Sequence, residues 1–224
     1  MADYKKIIPF ILKKEGGLSR SLSDTASNYP SPCSYNGQKG WHTNKGITYQ
    51  TFSYLAPKLN FSSDCSTFLK MPEDVWGKIF KNGYWNIWKL DFIKSQVVAD
   101  YIVSFAWASG NAGAKNQLEK FLSQKGINVN SREEIVLSLD KLAKKNEEKL
   151  FNELIEFQKN YYRSLNQPSN LTGWINRVNE FKEYEEKYIT KRNALRIILI
   201  IAIILIMLVA VYLTYKTFIK KHKS

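Results

Sequence analysis

Two acidic side chains near the N-terminus, Glu15 and Asp24, are nine positions apart and could act as a carboxylate pair. A carboxylic acid can protonate the leaving oxygen of a glycosidic bond, while a second carboxylate activates water or stabilises an oxocarbenium ion. Gly16 and Gly17 follow Glu15 and would let substrate or backbone approach it closely. A Glu and an Asp at this spacing are also common as solvated surface charges, so the pair alone leaves both interpretations open.

Further segments extend this pattern. HTNKGIT occupies 42–48, GYWNIWKLD occupies 83–91, and GWINRVNEF occupies 173–181. Together with Glu-Gly-Gly at 15–17 and Asp24, these segments resemble glycoside hydrolase family 108, the N-acetylmuramidases and secretion activators that include phage endolysins. The part after 83 is similar to the peptidoglycan-binding region of that family. The resemblance does not include the C-terminal residues beyond 181.

The resemblance implies a lysozyme-like fold and hydrolysis of the β-1,4 bond between N-acetylmuramic acid and N-acetylglucosamine. It implies Glu15 as the catalytic acid, with Asp24 and Thr43 holding the attacking water and the sugar, since a hydroxyl can orient water against a carboxylate. The residues predicted to bind substrate are Gly16, Gly17, His42, Asn44, Tyr84 and Trp85. The aromatic residues of this set could equally be core residues.

Three features of the chain bear on this resemblance. The segment between Asp24 and Thr43 is longer than the Gly-rich segment usual in the family and holds Pro30, Pro32 and Cys33. Relatives often carry an acid where this chain has Ala106 and Trp107. Arg177 is predicted to pair with a carboxylate or to brace the helical part.

The histidines and cysteines limit other kinds of chemistry. His42 and His222 are the only histidines, so the sequence predicts no metal site and no cofactor. Cys33 with His42 could form a nucleophile and base, as in a peptidase or amidase. Cys33 and Cys65 could instead form a disulfide in an oxidising compartment, which their spacing does not decide.

The net charge of +13 favours a polyanionic partner, for which nucleic acid, anionic lipid and the bacterial wall all qualify. Solubility and a lysine-flanked anchor would explain the charge equally well. With the resemblance, we expect peptidoglycan glycan strands as the partner, no nucleic acid, and a monomer.

The elements that must position these residues are predicted to be mainly helical. Apolar residues at helical spacing over 4–12 stop before Gly16, so the first helix should end near Glu15. The stretch 18–46 predicts loops or a short hairpin. Further helices are predicted over 48–56, 72–85, 95–108, 114–124, 131–164 and 174–189. The predicted fold is therefore mainly α, with a small irregular or β lobe.

The C-terminal segment predicts a membrane anchor. The run 197–213 is uncharged and apolar, so we expect one transmembrane helix over 195–215, followed by a basic tail over 216–224. Before it we expect a catalytic lobe over 1–70 and a helical peptidoglycan-binding lobe over 71–190. We expect no cleavable secretory signal at the N-terminus. The predicted location is the membrane, with the catalytic domain on the periplasmic or cell-wall side.

Two hypotheses compete with a membrane-anchored peptidoglycan hydrolase. A non-catalytic, membrane-anchored wall-binding or secretion-assisting protein would keep the aromatic residues and the charge but would not need Glu15. A pore former would act through the C-terminal helix, although that helix lacks polar residues to line a pore.

Overall fold

The computed structural model describes residues 1–22 and 24–222. It divides the chain into a first unit, Met1–Val178, and a second unit, Asn179–Ser224. The predicted basic tail, 216–224, ends outside the described residues. The predicted boundary between a lobe over 1–70 and a lobe over 71–190 stays a prediction.

Helices make up most of the chain, and the first unit also contains a small sheet. The α-helices are α1 (Ile8–Lys14), α2 (Tyr49–Leu55), α3 (Cys65–Lys70), α4 (Glu73–Phe80), α5 (Gln96–Ser123), α6 (Arg132–Ser164) and α7 (Pro168–His222). Short 3-10 helices are Tyr4–Lys6, Thr25–Asn28, Pro57–Leu59, Asn86–Trp88 and Leu90–Phe92, and a π-helical turn, Lys81–Trp85, extends α4. The predicted mainly α architecture with a small β lobe is confirmed.

The small lobe is an antiparallel sheet of three two-residue strands, β1 (Leu18–Ser19), β2 (Thr43–Asn44) and β3 (Ile47–Thr48). Ser19 of β1 pairs with Thr43 of β2. The turn between β2 and β3 has positive φ at both of its residues, Lys45 and Gly46, as a two-residue type I′ hairpin turn requires. The sheet therefore brings the segment after Glu15 against the HTNKGIT segment.

The core of the first unit forms around α5. Every residue from Gln96 to Ala106 is buried, as expected of a helix that is covered on all sides. Helix α5 packs mainly against α6, where the Tyr101 hydroxyl donates a hydrogen bond to the Leu154 carbonyl at 3.0 Å. The largest fully buried side chains include Trp76, Trp85 and Trp88. These aromatic residues supply much of the apolar area that folding removes from water.

Two of the long helices contain breaks. Helix α5 is broken at Gly110 (φ 73°, ψ 155°), in agreement with the two helices predicted over 95–108 and 114–124. Helix α6 is broken at Asn146 (φ −160°, ψ 96°), where the sequence predicts one continuous helix over 131–164. The Asn146 Oδ1 accepts a hydrogen bond from the Lys149 N–H at 2.9 Å and so caps the second half. Apolar periodicity does not detect this local cap, because the periodicity continues through it.

The second unit consists of the continuing helix α7. The stretch Pro168–Thr214 is long and apolar enough to cross a membrane, with a mean hydropathy of 3.3 in its most apolar window. None of that window is buried. Helix α7 begins at Pro168, a residue favoured in the first turn, and so starts before the helix predicted over 174–189.

Candidate active site

Glu15 lies at the C-terminal end of α1, as the sequence predicts. Its backbone is extended (φ −94°, ψ 134°), and its N–H still bonds the Leu12 carbonyl at 3.3 Å. The buried side chains of Phe10 and Ile11 fix the helix in the core. Gly16 and Gly17 are exposed, and a Cβ built on either would meet no atom within 4 Å. The space beside the Glu15 backbone is therefore open.

The Glu15 carboxylate is held by two residues that are distant in sequence. The Trp107 indole N–H donates to Oε1 at 2.8 Å, and an Arg177 guanidinium N–H donates to the same oxygen at 2.9 Å. The side chains of Glu15 and Arg177 are 15% and 26% exposed, so this ion pair is only partly screened by water. Charge-assisted hydrogen bonds of this kind are stronger than neutral ones and fix geometry.

An aromatic cluster supports this carboxylate. The Trp107 ring lies 4.7 Å from Tyr84, 5.4 Å from Phe80 and 5.8 Å from Trp76, measured between ring centroids. Burial, and secondly the charge of Glu15, raise the pKa of Tyr84 above its usual value. The phenol therefore lies within electrostatic reach of Glu15, and its neutral form is favoured.

Gly46 closes the other side of the carboxylate. A Cβ at this position would stand 2.6 Å from Glu15 Oε2 and 2.6 Å from Trp107 Cζ2. The turn itself is held by the Trp76 indole N–H, which donates to the Lys45 carbonyl at 2.9 Å, and by Lys45 Nζ, which donates to the Met71 carbonyl at 3.0 Å. Only a glycine permits both the positive φ and this close approach.

Asp24, His42 and Thr43 form a second cluster. Thr43 Oγ1 lies 2.9 Å from His42 Nδ1, and Asp24 Oδ2 lies 3.9 Å from the same nitrogen. Asp24 also accepts the Ala26 N–H at 2.9 Å through Oδ1, which caps the 3-10 helix Thr25–Asn28. The Asp24 side chain is 44% exposed, whereas that of His42 is fully buried. The pairing of Ser19 with Thr43 joins this cluster to the strand that follows Glu15.

Three of the residues predicted to bind substrate are buried. His42 and Trp85 are fully buried, and Trp85 donates its indole N–H to Asp91 Oδ1 at 2.8 Å. Asn44 is 3% exposed, and its amide donates to the carbonyls of Phe68 and Leu69. These side chains do not reach solvent in the structure, and their assignment to substrate binding stays a prediction. Gly16, Gly17 and Tyr84 lie beside Glu15.

Sequence reasoning missed the parts played by Trp107 and Gly46. The sequence drew attention to Trp107 only because it stands where relatives carry an acid. No local pattern links it to Glu15, which is 92 positions away. Gly46 stands in a two-residue turn between Thr43–Asn44 and Ile47–Thr48. A glycine in such a turn indicates positive φ, but it does not show which side chain lies against the glycine. Arg177 pairs with a carboxylate, as predicted, and that carboxylate belongs to Glu15.

Cys33 and Cys65 form a disulfide, with their Cα atoms 5.3 Å apart. The bridge ties the insert between Asp24 and Thr43 to the start of α3. It also removes the Cys33 thiol, so the alternative of a Cys33 nucleophile with His42 as base is wrong. Among residues 1–22 and 24–222, no group of three or more His, Cys, Asp or Glu side chains could hold a metal ion.

Comparison with known proteins shows likeness in sequence and in fold. Residues 8–110 match the sequence model of the family described as glycosyl hydrolase 108, a range that holds Glu15, Asp24, Thr43 and Trp107 but not Arg177. The chain is similar to the structure of Brucella abortus SagA, with a TM-score of 0.56 and 21% identity over 80% of this chain and 91% of that chain. No curated protein matches. This likeness shows a shared fold, and the predicted lysozyme-like fold is confirmed. The match over residues 8–110 and the likeness to SagA together support the assignment of this part of the chain to glycosyl hydrolase family 108.

Proposed function

We propose that this chain is a peptidoglycan hydrolase of the muramidase type, which cleaves the β-1,4 bond between N-acetylmuramic acid and N-acetylglucosamine. The family supports a glycoside hydrolase with a peptidoglycan substrate, although it also includes activators. One observation carries the proposal. The Glu15 carboxyl group is held through one oxygen by Trp107 and Arg177 at the open, glycine-flanked end of α1.

The two Glu15 oxygens have different parts in the proposed reaction. Oε1 accepts both hydrogen bonds, which use its two lone pairs. In the protonated acid the hydrogen would therefore be on Oε2, the oxygen next to Gly46. From there it would pass to the glycosidic oxygen as the bond to the anomeric carbon breaks.

Asp24 and Thr43 are proposed to hold the water that attacks the anomeric carbon. The Asp24 side chain is exposed enough to bind water, and both Asp24 and Thr43 lie beside Nδ1 of His42. In the proposed reaction, water adds to the anomeric carbon and passes one hydrogen to Asp24. The leaving sugar takes the proton from Glu15. Attack by water opposite to the leaving group inverts the configuration at that carbon.

The test is the release of reducing ends from purified sacculi. Glu15→Gln retains an oxygen that can accept from Trp107 and Arg177 but removes the acid, so we expect turnover to fall by roughly 10²- to 10⁴-fold without loss of fold. Glu133→Gln is the control, because Glu133 is exposed and pairs with Lys89. Undiminished turnover in Glu15→Gln would show that Glu15 is not the catalytic acid. Binding to sacculi by the wild-type chain without any release would favour the wall-binding or secretion-assisting alternative.

We also propose that α7 anchors the chain in a membrane through 197–213, with the first unit on the wall side. In this run every Ile, Leu, Met, Val and Tyr side chain is between 46% and 69% exposed, a distribution unlike that of a core helix. The Cys33–Cys65 disulfide supports an oxidising compartment for the first unit.

Membrane fractionation and protease accessibility test this anchor. Replacing Ile204 and Leu208 by lysine should release the chain from membranes, because a lysine at the centre of a span costs about 2.5 to 3.5 kcal/mol. Replacing Ile87 and Phe92, two exposed apolar residues of the first unit, by lysine is the matched control and should leave it bound. Protease digestion of the first unit in intact spheroplasts would support the proposed orientation, and its complete protection would contradict it.

A further inference from the structure

His42 is a buried histidine to which the proposed reaction assigns no role. Its side chain is fully buried. Its backbone is held at both ends, since its N–H bonds the Ser19 carbonyl at 3.1 Å and its carbonyl accepts the Tyr49 N–H at 2.7 Å. Both ring nitrogens also have partners, Ser21 O for Nε2 at 3.1 Å and Thr43 Oγ1 for Nδ1 at 2.9 Å. The ring is therefore fixed in position and orientation.

These partners define where the hydrogens are. A backbone carbonyl can only accept, so Nε2 carries the hydrogen that bonds Ser21. In the neutral ring, Nδ1 is then an acceptor. In this neutral form the hydrogen between Nδ1 and Oγ1 belongs to Thr43, whose hydroxyl donates to the imidazole.

We propose that His42 is a positioning residue that fixes the Thr43 hydroxyl as a hydrogen-bond acceptor for the attacking water. This inference rests on the proposed function, in which Asp24 and Thr43 hold that water. Once the Thr43 hydrogen is donated to His42, only lone pairs of Oγ1 remain for the water. A hydroxyl rotated the other way would donate to the water and occupy the lone pair needed for attack.

Asp24 fits the same arrangement. Its Oδ2 stands 3.9 Å from His42 Nδ1, beyond hydrogen-bond distance, and both atoms are acceptors in the neutral ring. Asp24 therefore does not compete with Thr43 for the imidazole. With Asp24 and Thr43 both accepting, the two hydrogens of one water are directed to the protein, and its oxygen lone pair is directed away from them. Asp24 can then take the hydrogen that the water releases.

Two substitutions of His42 separate its two hydrogen bonds. In His42→Asn the amide oxygen can stand near the position of Nδ1 and accept from Thr43. In His42→Gln the amide N–H can stand near the position of Nε2 and keep the Ser21 bond, while Thr43 loses its acceptor. We expect kcat for glycan cleavage to fall about 10-fold in His42→Gln, the value of one hydrogen bond, and to fall only about 2-fold in His42→Asn. KM should change little in both.

Thr43→Val shows whether His42 acts through the hydroxyl. If it does, adding His42→Gln to Thr43→Val causes no further loss of kcat, because the interaction is already gone. An equal loss of kcat in the Asn and Gln variants, or a full 10-fold loss in the Thr43→Val background, would overturn the proposal. Thermal unfolding of each full-length variant in detergent separates these effects from loss of fold.

Nitrogen NMR of the histidine ring tests the arrangement independently of activity. His42 and His222 are the only histidines, so His222→Ala assigns the two signals. We expect His42 to carry its hydrogen on Nε2, and Thr43→Val to move the Nδ1 resonance. Thr48→Val is the matched control, because Thr48 pairs with Thr43 across the sheet and its hydroxyl bonds Thr51. A hydrogen on Nδ1, or no response to Thr43→Val, would overturn the inference, whereas the expected spectrum without glycan cleavage would contradict only the proposed function.

Discussion

Arg177 and Glu15 are 162 positions apart in the sequence, and their side chains form an ion pair at 2.9 Å. Arg177 stands near the start of α7 and Glu15 at the end of α1, so the pair ties the two ends of the first unit together. It also holds the oxygen of Glu15 that the indole of Trp107 shares. One contact thus contributes to the stability of the unit and to the geometry of its candidate acid.

Replacing Arg177 should therefore lower both stability and activity. In Arg177→Met the partly buried carboxylate loses one of the two donors to Oε1, and we expect a loss of roughly 1 to 3 kcal/mol in the free energy of unfolding. Arg177→Lys keeps the charge but loses the planar guanidinium group. Its free energy of unfolding should therefore lie between those of wild type and Arg177→Met. Urea unfolding measures this. Lys159→Met is the control, since its partner Glu156 is 59% exposed and the pair should contribute under about 1 kcal/mol. Equal stability of Arg177→Met and wild type would contradict the prediction.

Gly46→Ala should damage the site more than its backbone strain explains. Alanine in this left-handed conformation costs about 1 to 2 kcal/mol by itself. In addition its Cβ would overlap Glu15 Oε2 and Trp107 Cζ2, each at 2.6 Å, and so displace the carboxylate. We expect glycan cleavage to fall by at least about 10²-fold, as when a reacting group is misplaced by about 1 Å.

Gly126→Ala is the matched control for Gly46→Ala. Gly126 has a similar φ of 73°, and a Cβ there meets no atom within 4 Å. It should show the same order of destabilisation in thermal melts with unchanged turnover. Similar activity in the two variants would mean that the overlap with Glu15 has no consequence.

The Cys33–Cys65 disulfide should stabilise the first unit by restricting the unfolded chain. The bridge closes a loop with a sequence separation of 32, and bridges of this size typically contribute roughly 2 to 4 kcal/mol. We expect unfolding at lower urea concentration after reduction, and the same shift in a Cys33→Ser, Cys65→Ser chain. A reductant should then have no further effect on that double variant. A wild-type chain whose unfolding does not respond to reduction would contradict this account.

The first unit should become less stable in acid because the Asp140 carboxylate becomes protonated. Burial raises the pKa of Asp140, but hydrogen bonds from Lys144, Ser95 and Lys94 together outweigh it and hold that pKa below its usual value. Since the folded pKa is depressed, this stabilisation is present above the unfolded pKa of about 3.9 and is lost as pH falls through the folded pKa.

Two substitutions test this pH dependence in urea titrations between about pH 7 and pH 2. Asp140→Asn should be less stable than wild type at neutral pH by about 1 to 3 kcal/mol, and the difference should vanish at the acid end. Lys144→Met retains the two backbone donors, at 3.0 and 3.1 Å, and should keep part of the pH dependence. A constant difference between wild type and Asp140→Asn across the range would show that Asp140 is not the responsible group.

Local patterns in the sequence were sufficient to predict most of the helices and the apolar run, but not α3 or the break at Asn146. The end of α1 at Glu15 follows from apolar spacing and the two glycines, and the run over 197–213 follows from hydropathy alone. The break of α5 at Gly110 was also visible, because a glycine there separates two apolar patterns. These features depend on neighbours within a few residues, which the sequence lists directly.

The surroundings of Glu15 depend on contacts between distant parts of the chain. Trp107 of α5 and Arg177 of α7 meet at one carboxylate oxygen only in the folded chain, and the approach of Gly46 depends on the pairing of β2 and β3. The burial of His42, Asn44 and Trp85 likewise results from the packing of helices and loops against the small sheet. The sequence by itself determined which residues could do chemistry, and the tertiary structure decided which of them are exposed and which are buried. The reason is that side-chain type is local, whereas burial and approach depend on packing across the whole unit.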